Sequence, residues 1–171
     1  MGSFRVSVSK DYLGFAAAHF LTFRGHACES LHGHNYRVAV AIEGPIEPEC
    51  CFVVDFAVLK GILRRQVDRL DHRVLLPLSN PKLAYRQHDE FTLVDYLGSA
   101  RYQFPTGDCV MVPVTNTTAE MLAQWLGGLV RDELAATGIV VDALEVEVEE
   151  SAGQSATFCE RREREHSPPE S

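Results

Sequence analysis

Apolar and polar positions alternate along two early stretches of the chain. Phe4-Arg5-Val6-Ser7-Val8 and the run that continues through Phe15-Ala16-Ala17-Ala18-His19 read as one strand over residues 4–19. Arg37-Val38-Ala39-Val40-Ala41-Ile42-Glu43-Gly44 alternates large apolar with small or polar residues, so residues 32–43 read as a second strand, with side chains i and i+2 on one face. Gly44-Pro45 ends it. After Asp55 the period changes. Phe56, Leu59, Leu63, Val67 and Leu70 recur at helical spacing, with Lys60, Arg64 and Arg65 on the other side. Asp55 fits the N-cap of this helix. A second helix opens at Thr117-Thr118-Ala119-Glu120, where Thr117 with Glu120 fits a capping box. Its stripe is Leu122, Trp125, Leu126, Leu129 and Val130, and Gly138 stops it. Val140-Val141 and Leu144-Glu145-Val146-Glu147-Val148-Glu149-Glu150 return to strand.

Between the helices, residues 77–114 carry three strand-like runs, Glu90 to Tyr96, Arg101 to Phe104 and Cys109 to Val112, separated by Gly98 and by Pro105-Thr106-Gly107. They read as an inserted hairpin or a strand extension. The order is strand, strand, helix, helix, strand, strand. Antiparallel strands with a helix pair on one face make an α+β layer. The length of 171 residues suits one domain, over residues 1–160, followed by a charged, disordered tail at 161–171. A net charge of −8 argues against a nucleic-acid groove. No apolar run reaches the length of a membrane span, and no basic-then-apolar leader opens the chain. Five cysteines, an odd number with no paired framework, favour a reducing cytoplasm.

The chemistry concentrates at Cys28-Glu29-Ser30-Leu31-His32-Gly33-His34-Asn35-Tyr36. His32 and His34 share a strand face, and Gly33 removes a side chain from the opposite one. His19, at the end of the first strand, is a third candidate ligand. Three neutral imidazoles and an open position match a catalytic zinc site. Glu150 falls in phase with Leu144, Val146 and Val148, whereas Glu145, Glu147 and Glu149 form a solvated face. A carboxylate on the apolar side needs donors, and two parallel N–H groups would suit it; the alternative is that the phase is lost and Glu150 is exposed. Cys28 is either an inert packed thiol or, near a metal or His⁺, a thiolate base. Asp71-His72 either caps the first helix or forms a proton relay.

These motifs resemble the 6-pyruvoyl-tetrahydropterin synthase family, and within it the 6-carboxytetrahydropterin synthase branch of queuosine biosynthesis. Phe15-x-Ala17-Ala18-His19, Gly25-His26-Ala27-Cys28 and Cys28-x-x-x-His32-Gly33-His34-Asn35-Tyr36 carry the likeness. Leu70-Asp71-His72 with Leu75 also matches, although Leu76 stands where the family has asparagine. Thr117, Thr118 and Glu120 match the helix-opening signature without its proline and asparagine, and Phe158 replaces a tyrosine after Glu150.

The resemblance implies a T-fold whose sheets associate into barrels, as a hexamer of two trimers with active sites between subunits. It implies zinc on His19, His32 and His34, Cys28 as general base with Asp71 and His72, and a pterin anchored by Glu150 near Thr117, Thr118 and Glu120. His26 is a candidate for the triphosphate of 7,8-dihydroneopterin triphosphate, as are Lys10, Arg24 and Arg37. The expected products are 6-carboxytetrahydropterin and acetaldehyde. A 6-pyruvoyl product is the nearest alternative. Glu29, beside Cys28, keeps open a 6-hydroxymethyl product, and a non-catalytic pterin-binding metalloprotein is the reading from another class.

Overall fold

In a computed structural model describing residues 3–162, both early strands form at the expected places. Strand β1 runs Phe4–His19 and β2 runs His32–Gly44. They pair antiparallel, and His19 opposite His32 closes the hairpin. From Leu13 onward, alternate β1 residues Leu13, Phe15, Ala17 and His19 are buried, and Tyr36, Val38, Val40 and Ile42 of β2 join them on the same face. Gly14 lets the strands approach: a Cβ there would lie 2.4 Å from the Tyr36 carbonyl oxygen.

Helix α1 (Phe56–Leu70) begins where Asp55 accepts a 2.7 Å hydrogen bond from the Ala57 N–H. Helix α2 (Ala119–Ala136) is capped by Thr118, whose hydroxyl accepts from the Met121 N–H. The N-cap is therefore Thr118 rather than Thr117, and with Met121 at the third helical position the expected Thr117–Glu120 box does not form. Thr117 is instead fully buried, drawn inward by a hydrogen bond to His19. Leu59, Ile62, Leu63, Val67 and Leu70 of α1 and Leu122, Ala123, Leu126, Val130 and Leu134 of α2 meet the strands in one core. Burying each large aliphatic side chain contributes roughly 1.5–3 kcal/mol, which holds both helices to one face of the sheet.

Chain order continues through β3 (Arg73–Pro77), β4 (Leu83–His88), β5 (Phe91–Tyr96), β6 (Ser99–Pro105), β7 (Cys109–Val112), β8 (Ala143–Ser151) and β9 (Gln154–Arg161). The main sheet has the order β7-β3-β1-β2-β8-β9. It is antiparallel from β1 to β9, while β3 joins β1 and β7 joins β3 in parallel. The stretch between the helices thus combines the two expected alternatives and exceeds them, with three strands in place of the expected hairpin and an unforeseen strand at β3. It extends the main sheet with β3 and β7, and β4-β5-β6 form a separate three-stranded meander. The meander has its own small core, where Phe20, Leu76 and Val94 are buried with Tyr85, Tyr102, Phe104 and Cys28 packed around them.

Two expectations shift at the C-terminal end. Val140 and Val141 precede the strand, which starts at Ala143. Arg161 belongs to β9, opposite Ala143 and bonded to Glu43, so the chain is ordered past the expected start of the tail. The remainder of that expectation, residues 163–171, lies outside the described residues.

Candidate metal centre and its surroundings

The β1–β2 register fixes the histidines. His19 faces His32 across the ladder, Ala17 faces His34, and Phe15 faces Tyr36. All three imidazoles fall on the buried side, with their ligand atoms within 4.8 Å of one another. Gly33 keeps the strands close on the other side, where a Cβ would sit 3.2 Å from the Ala17 carbonyl oxygen. The His19–His34 and His32–His34 rings meet nearly edge-on, with centroids 5.2 and 4.9 Å apart.

Hydrogen bonds behind the rings orient two of them. His19 Nδ1–H donates to the Thr117 carbonyl at 2.9 Å, and His32 Nδ1–H donates to the Ser30 carbonyl at 2.9 Å. Each bond leaves the Nε2 lone pair free, and these two nitrogens lie 3.1 Å apart. Two ligands of one tetrahedral zinc ion, each about 2.0–2.1 Å from it, lie about 3.3 Å apart. The donor set therefore fits such an ion. Burial holds His19 below the ordinary histidine range, against the opposing pull of its bond to Thr117 and of Glu150. A neutral imidazole is the form that binds metal.

Glu150 reaches this cluster from β8. Its Oε1 lies 3.2 Å from His19 Nε2 and 3.5 Å from His34 Nε2, and it accepts a 3.2 Å hydrogen bond from the Tyr36 hydroxyl. Oε2 takes no hydrogen bond among the described residues. The strand phase thus carries Glu150 to the apolar side; a register irregularity between Glu149 and Ser151 lies at its position in the β8–β9 ladder. Tyr36, stacked on Phe15 at 4.7 Å, joins Glu150 to His19. Burial first, then the Glu150 charge, raises the Tyr36 pKa, so the phenol stays protonated and donates. Tyr36 stood in the sequence motif without a role of its own; its even spacing from His32 and His34 was the available signal.

The segment before His32 places its two candidate groups differently. Cys28 packs into the small core beside Phe20 and lies outside the ligand cluster. Glu29 turns an oxygen to 3.8 Å from His32 Nδ1, and that buried Oε2 has no hydrogen-bond partner among the described residues. Asp71 ends α1. Its Oδ1 accepts from the Ala16 N–H at 2.8 Å, and its Oδ2 accepts from His72 Nδ1–H at 2.9 Å. The Ala16 bond is the main reason the Asp71 carboxyl sits below the usual carboxylate range. His72 has a left-handed backbone (φ 56°) and its side chain is 83% exposed. No hydrogen bond, ion pair or ring contact joins it to the three histidines of its own chain. Thr117 is fully buried behind the His19 ring, and Glu120 is exposed in the first turn of α2. The expectation for His26 falls on a side chain outside those described.

Comparison with known proteins places this geometry. A family model described as 6-pyruvoyl tetrahydropterin synthase matches residues 7–161. A Methanocaldococcus jannaschii relative is 33% identical over 147 residues, covering 85% of this chain and 89% of that one, and provisionally carries the name 6-carboxy-5,6,7,8-tetrahydropterin synthase. The Haemophilus influenzae enzyme of that name is 29% identical over 123 residues, covering 70% of this chain and 77% of its own. The crystal structure of 6-pyruvoyl tetrahydropterin synthase from Plasmodium vivax superposes with a TM-score of 0.87 at 28% identity, covering 95% of this chain and all of that one. Two further structures of the Plasmodium vivax protein carry substitutions of a glutamate described as a catalytic residue. With the match running from β1 to the end of β9, this chain belongs to the 6-pyruvoyl tetrahydropterin synthase family and is a lyase-type enzyme with the T-fold.

Proposed function

We propose that this chain is a zinc-dependent lyase that converts 7,8-dihydroneopterin triphosphate into 6-carboxy-5,6,7,8-tetrahydropterin, with release of acetaldehyde and triphosphate, as in queuosine biosynthesis. The observation that carries this reading is the meeting of the Glu150 carboxylate with three imidazoles at one end of the sheet. A carboxylate there accepts the parallel N–H groups of the pterin 2-amino group and N3, which sets the substrate side chain beside the histidines. Tyr36 holds Oε1, and Oε2 remains to accept. A zinc ion bound by His19, His32 and His34 supplies a Lewis acid toward the side-chain hydroxyls. Cys28, as the thiolate, takes a proton from the side chain. Asp71 orients the His72 imidazole through its Nδ1–H, leaving Nε2 to exchange a proton. The exposure of His72, which bonds to none of its own chain's three histidines, supports a relay delivered across a subunit contact, in a hexamer of two trimers working in the cytoplasm.

A second reading has a specific observation behind it. Glu29 Oε2, without a hydrogen-bond partner among the described residues, faces His32 while Cys28 packs into an apolar cluster. With Glu29 as the base, the side chain is cut to leave a 6-hydroxymethyl pterin. Mass-resolved product analysis of zinc-loaded protein with dihydroneopterin triphosphate, beside a chelated control, tests both. A zinc-dependent 6-carboxy product with acetaldehyde, abolished in Cys28→Ala while zinc is retained, upholds the first reading. A 6-hydroxymethyl product that survives Cys28→Ala and disappears in Glu29→Gln selects the second. Pterin binding without turnover overturns both.

A further inference from the structure

The three-stranded meander lies outside the histidine cluster, yet two of its side chains reach the segment that carries Cys28 and Glu29. The Tyr102 hydroxyl accepts from the Leu31 N–H at 3.1 Å and donates to the Glu29 carbonyl at 3.3 Å. Arg101 Nη2 donates to the carbonyls of Cys28 and Glu29 at 3.4 and 3.3 Å. Neighbours on a regular strand point to opposite faces, so both reaching one segment needs an explanation. The β5–β6 register supplies it. Val94 pairs with Tyr102 and Asp95 with Ala100, which leaves Arg101 as an extra, bulged residue. Bulges twist a strand locally and re-aim side chains. The Arg101 guanidinium then lies 5.2 Å from the centre of the Tyr102 ring, within cation–π range.

The Tyr102 ring is itself held. It packs 5.0 Å from the buried Phe20 ring and stacks on Phe104 at 5.5 Å. Phe20 directly follows His19, so the tyrosine is braced against the chain at the metal centre. On the other side, Cys28 packs into the same small core. Apart from the Thr22–Cys28 bridge and the Glu29–Leu21 bond, the segment has little main-chain support of its own. Its side-chain orientations therefore depend on what grips its carbonyls.

We propose that Tyr102, with Arg101, is a positioning residue: the meander clamps residues 28–31 so that the Glu29 carboxylate faces His32 while the Cys28 sulfur is turned into the apolar cluster. The clamp thereby governs the balance between the two candidate bases, and this consequence rests on the function proposed above. The clamp itself is independent of it.

The test uses the full-length, zinc-loaded protein with Tyr102→Phe, and Tyr85→Phe as a control. Tyr85 donates to the Pro77 carbonyl at 2.9 Å and ties the same meander to β3, and its hydroxyl makes no hydrogen bond to residues 28–31. In Tyr102→Phe, amide exchange in the peptide spanning 28–31 rises about tenfold, the weight of one or two hydrogen bonds. Alkylation of Cys28 by iodoacetamide, read by peptide mass, rises with it, and zinc content is unchanged. With pterin substrate, kcat falls about tenfold or the product ratio moves, while KM stays within about twofold, as expected when orientation rather than binding is lost. Tyr85→Phe changes none of these. Unchanged exchange and alkylation in Tyr102→Phe overturn the clamp, as do equal effects in Tyr85→Phe. Raised exchange with wild-type kcat and product ratio overturns its role in positioning. If the wild-type protein turns over no pterin, the proposed function falls, and exchange and alkylation still decide the clamp.

Discussion

The histidine cluster and the segment just before it are adjacent in sequence but are held in different ways. His19, His32 and His34 take their places from a ladder of paired strands backed by the main core. Cys28 and Glu29 sit on a connection whose backbone is gripped largely by side chains from a distant strand. A ladder spreads its cost over many bonds, so one weak contact hardly moves a ligand. A connection held by a few side-chain bonds, each worth about 0.5–1.5 kcal/mol, can be re-aimed by one substitution. The difference separates the three imidazoles that could hold a metal from the two candidate bases beside them.

The largest effect that would break this contrast is on the ladder side. His34→Ala removes one of three imidazoles, and the purified protein is expected to lose stoichiometric zinc by elemental analysis while remaining folded. Full zinc occupancy in that variant would show that the cluster is not the metal site. Next comes Gly14→Ala. Its Cβ would meet the Tyr36 carbonyl oxygen at 2.4 Å, a backbone atom that cannot swing away. A loss of roughly 1–3 kcal/mol is expected in urea unfolding, and an unchanged midpoint would mean that the hairpin yields more easily than a ladder should.

A smaller effect sharpens the comparison at the join. Tyr36→Phe deletes the hydroxyl shared by Glu150 and His19. Partners of metal ligands typically contribute tenfold or more to affinity. A drop of about tenfold in zinc affinity is expected in competition with a chelator, with stability little changed; wild-type affinity would confine the hydroxyl to Glu150.

The smallest concerns Asp71, whose carboxyl lies below the usual range because the Ala16 N–H and then His72 favour its charged form. Its contribution is fully present above the unfolded pKa of about 3.9 and is lost as pH falls through the lower folded value. The stability gap between wild type and Asp71→Asn should therefore narrow below about pH 4 in urea titrations. A constant gap down to pH 2 would remove the charge from the explanation.

Much of the ladder side was legible beforehand. The alternation of β1 and β2, the even spacing of His32 and His34, and the phase of Glu150 on β8 are properties of neighbouring residues. The cap at Asp55 was legible for the same reason. The clamp side was not. Cys28 and Glu29 lie in a stretch without a period, so no rule says which points inward. Thr117 found its place through a bond to His19, 98 residues away. With two consecutive threonines, local pattern could not choose the cap. The strands between the helices were undercounted because β3 and β4 gain their meaning from partners rather than from their own pattern: β3 from β1 and β7, β4 from β5 and the small core.

His19 and His32 are the last facing pair before the hairpin opens. Residues 20–31 therefore leave and return at two members of the histidine cluster, and their number does not enter the register. Insertions or replacements in that stretch leave the pairing of the histidines intact, whereas a one-residue deletion between Gly33 and Tyr36 would turn side chains to the opposite face. The molecule thus behaves as a socket with an interchangeable part. A lineage, or an engineer grafting loops, can exchange the stretch with Cys28 and Glu29 and keep the three histidines in register, provided that a carbonyl still stands where Ser30 holds the His32 ring.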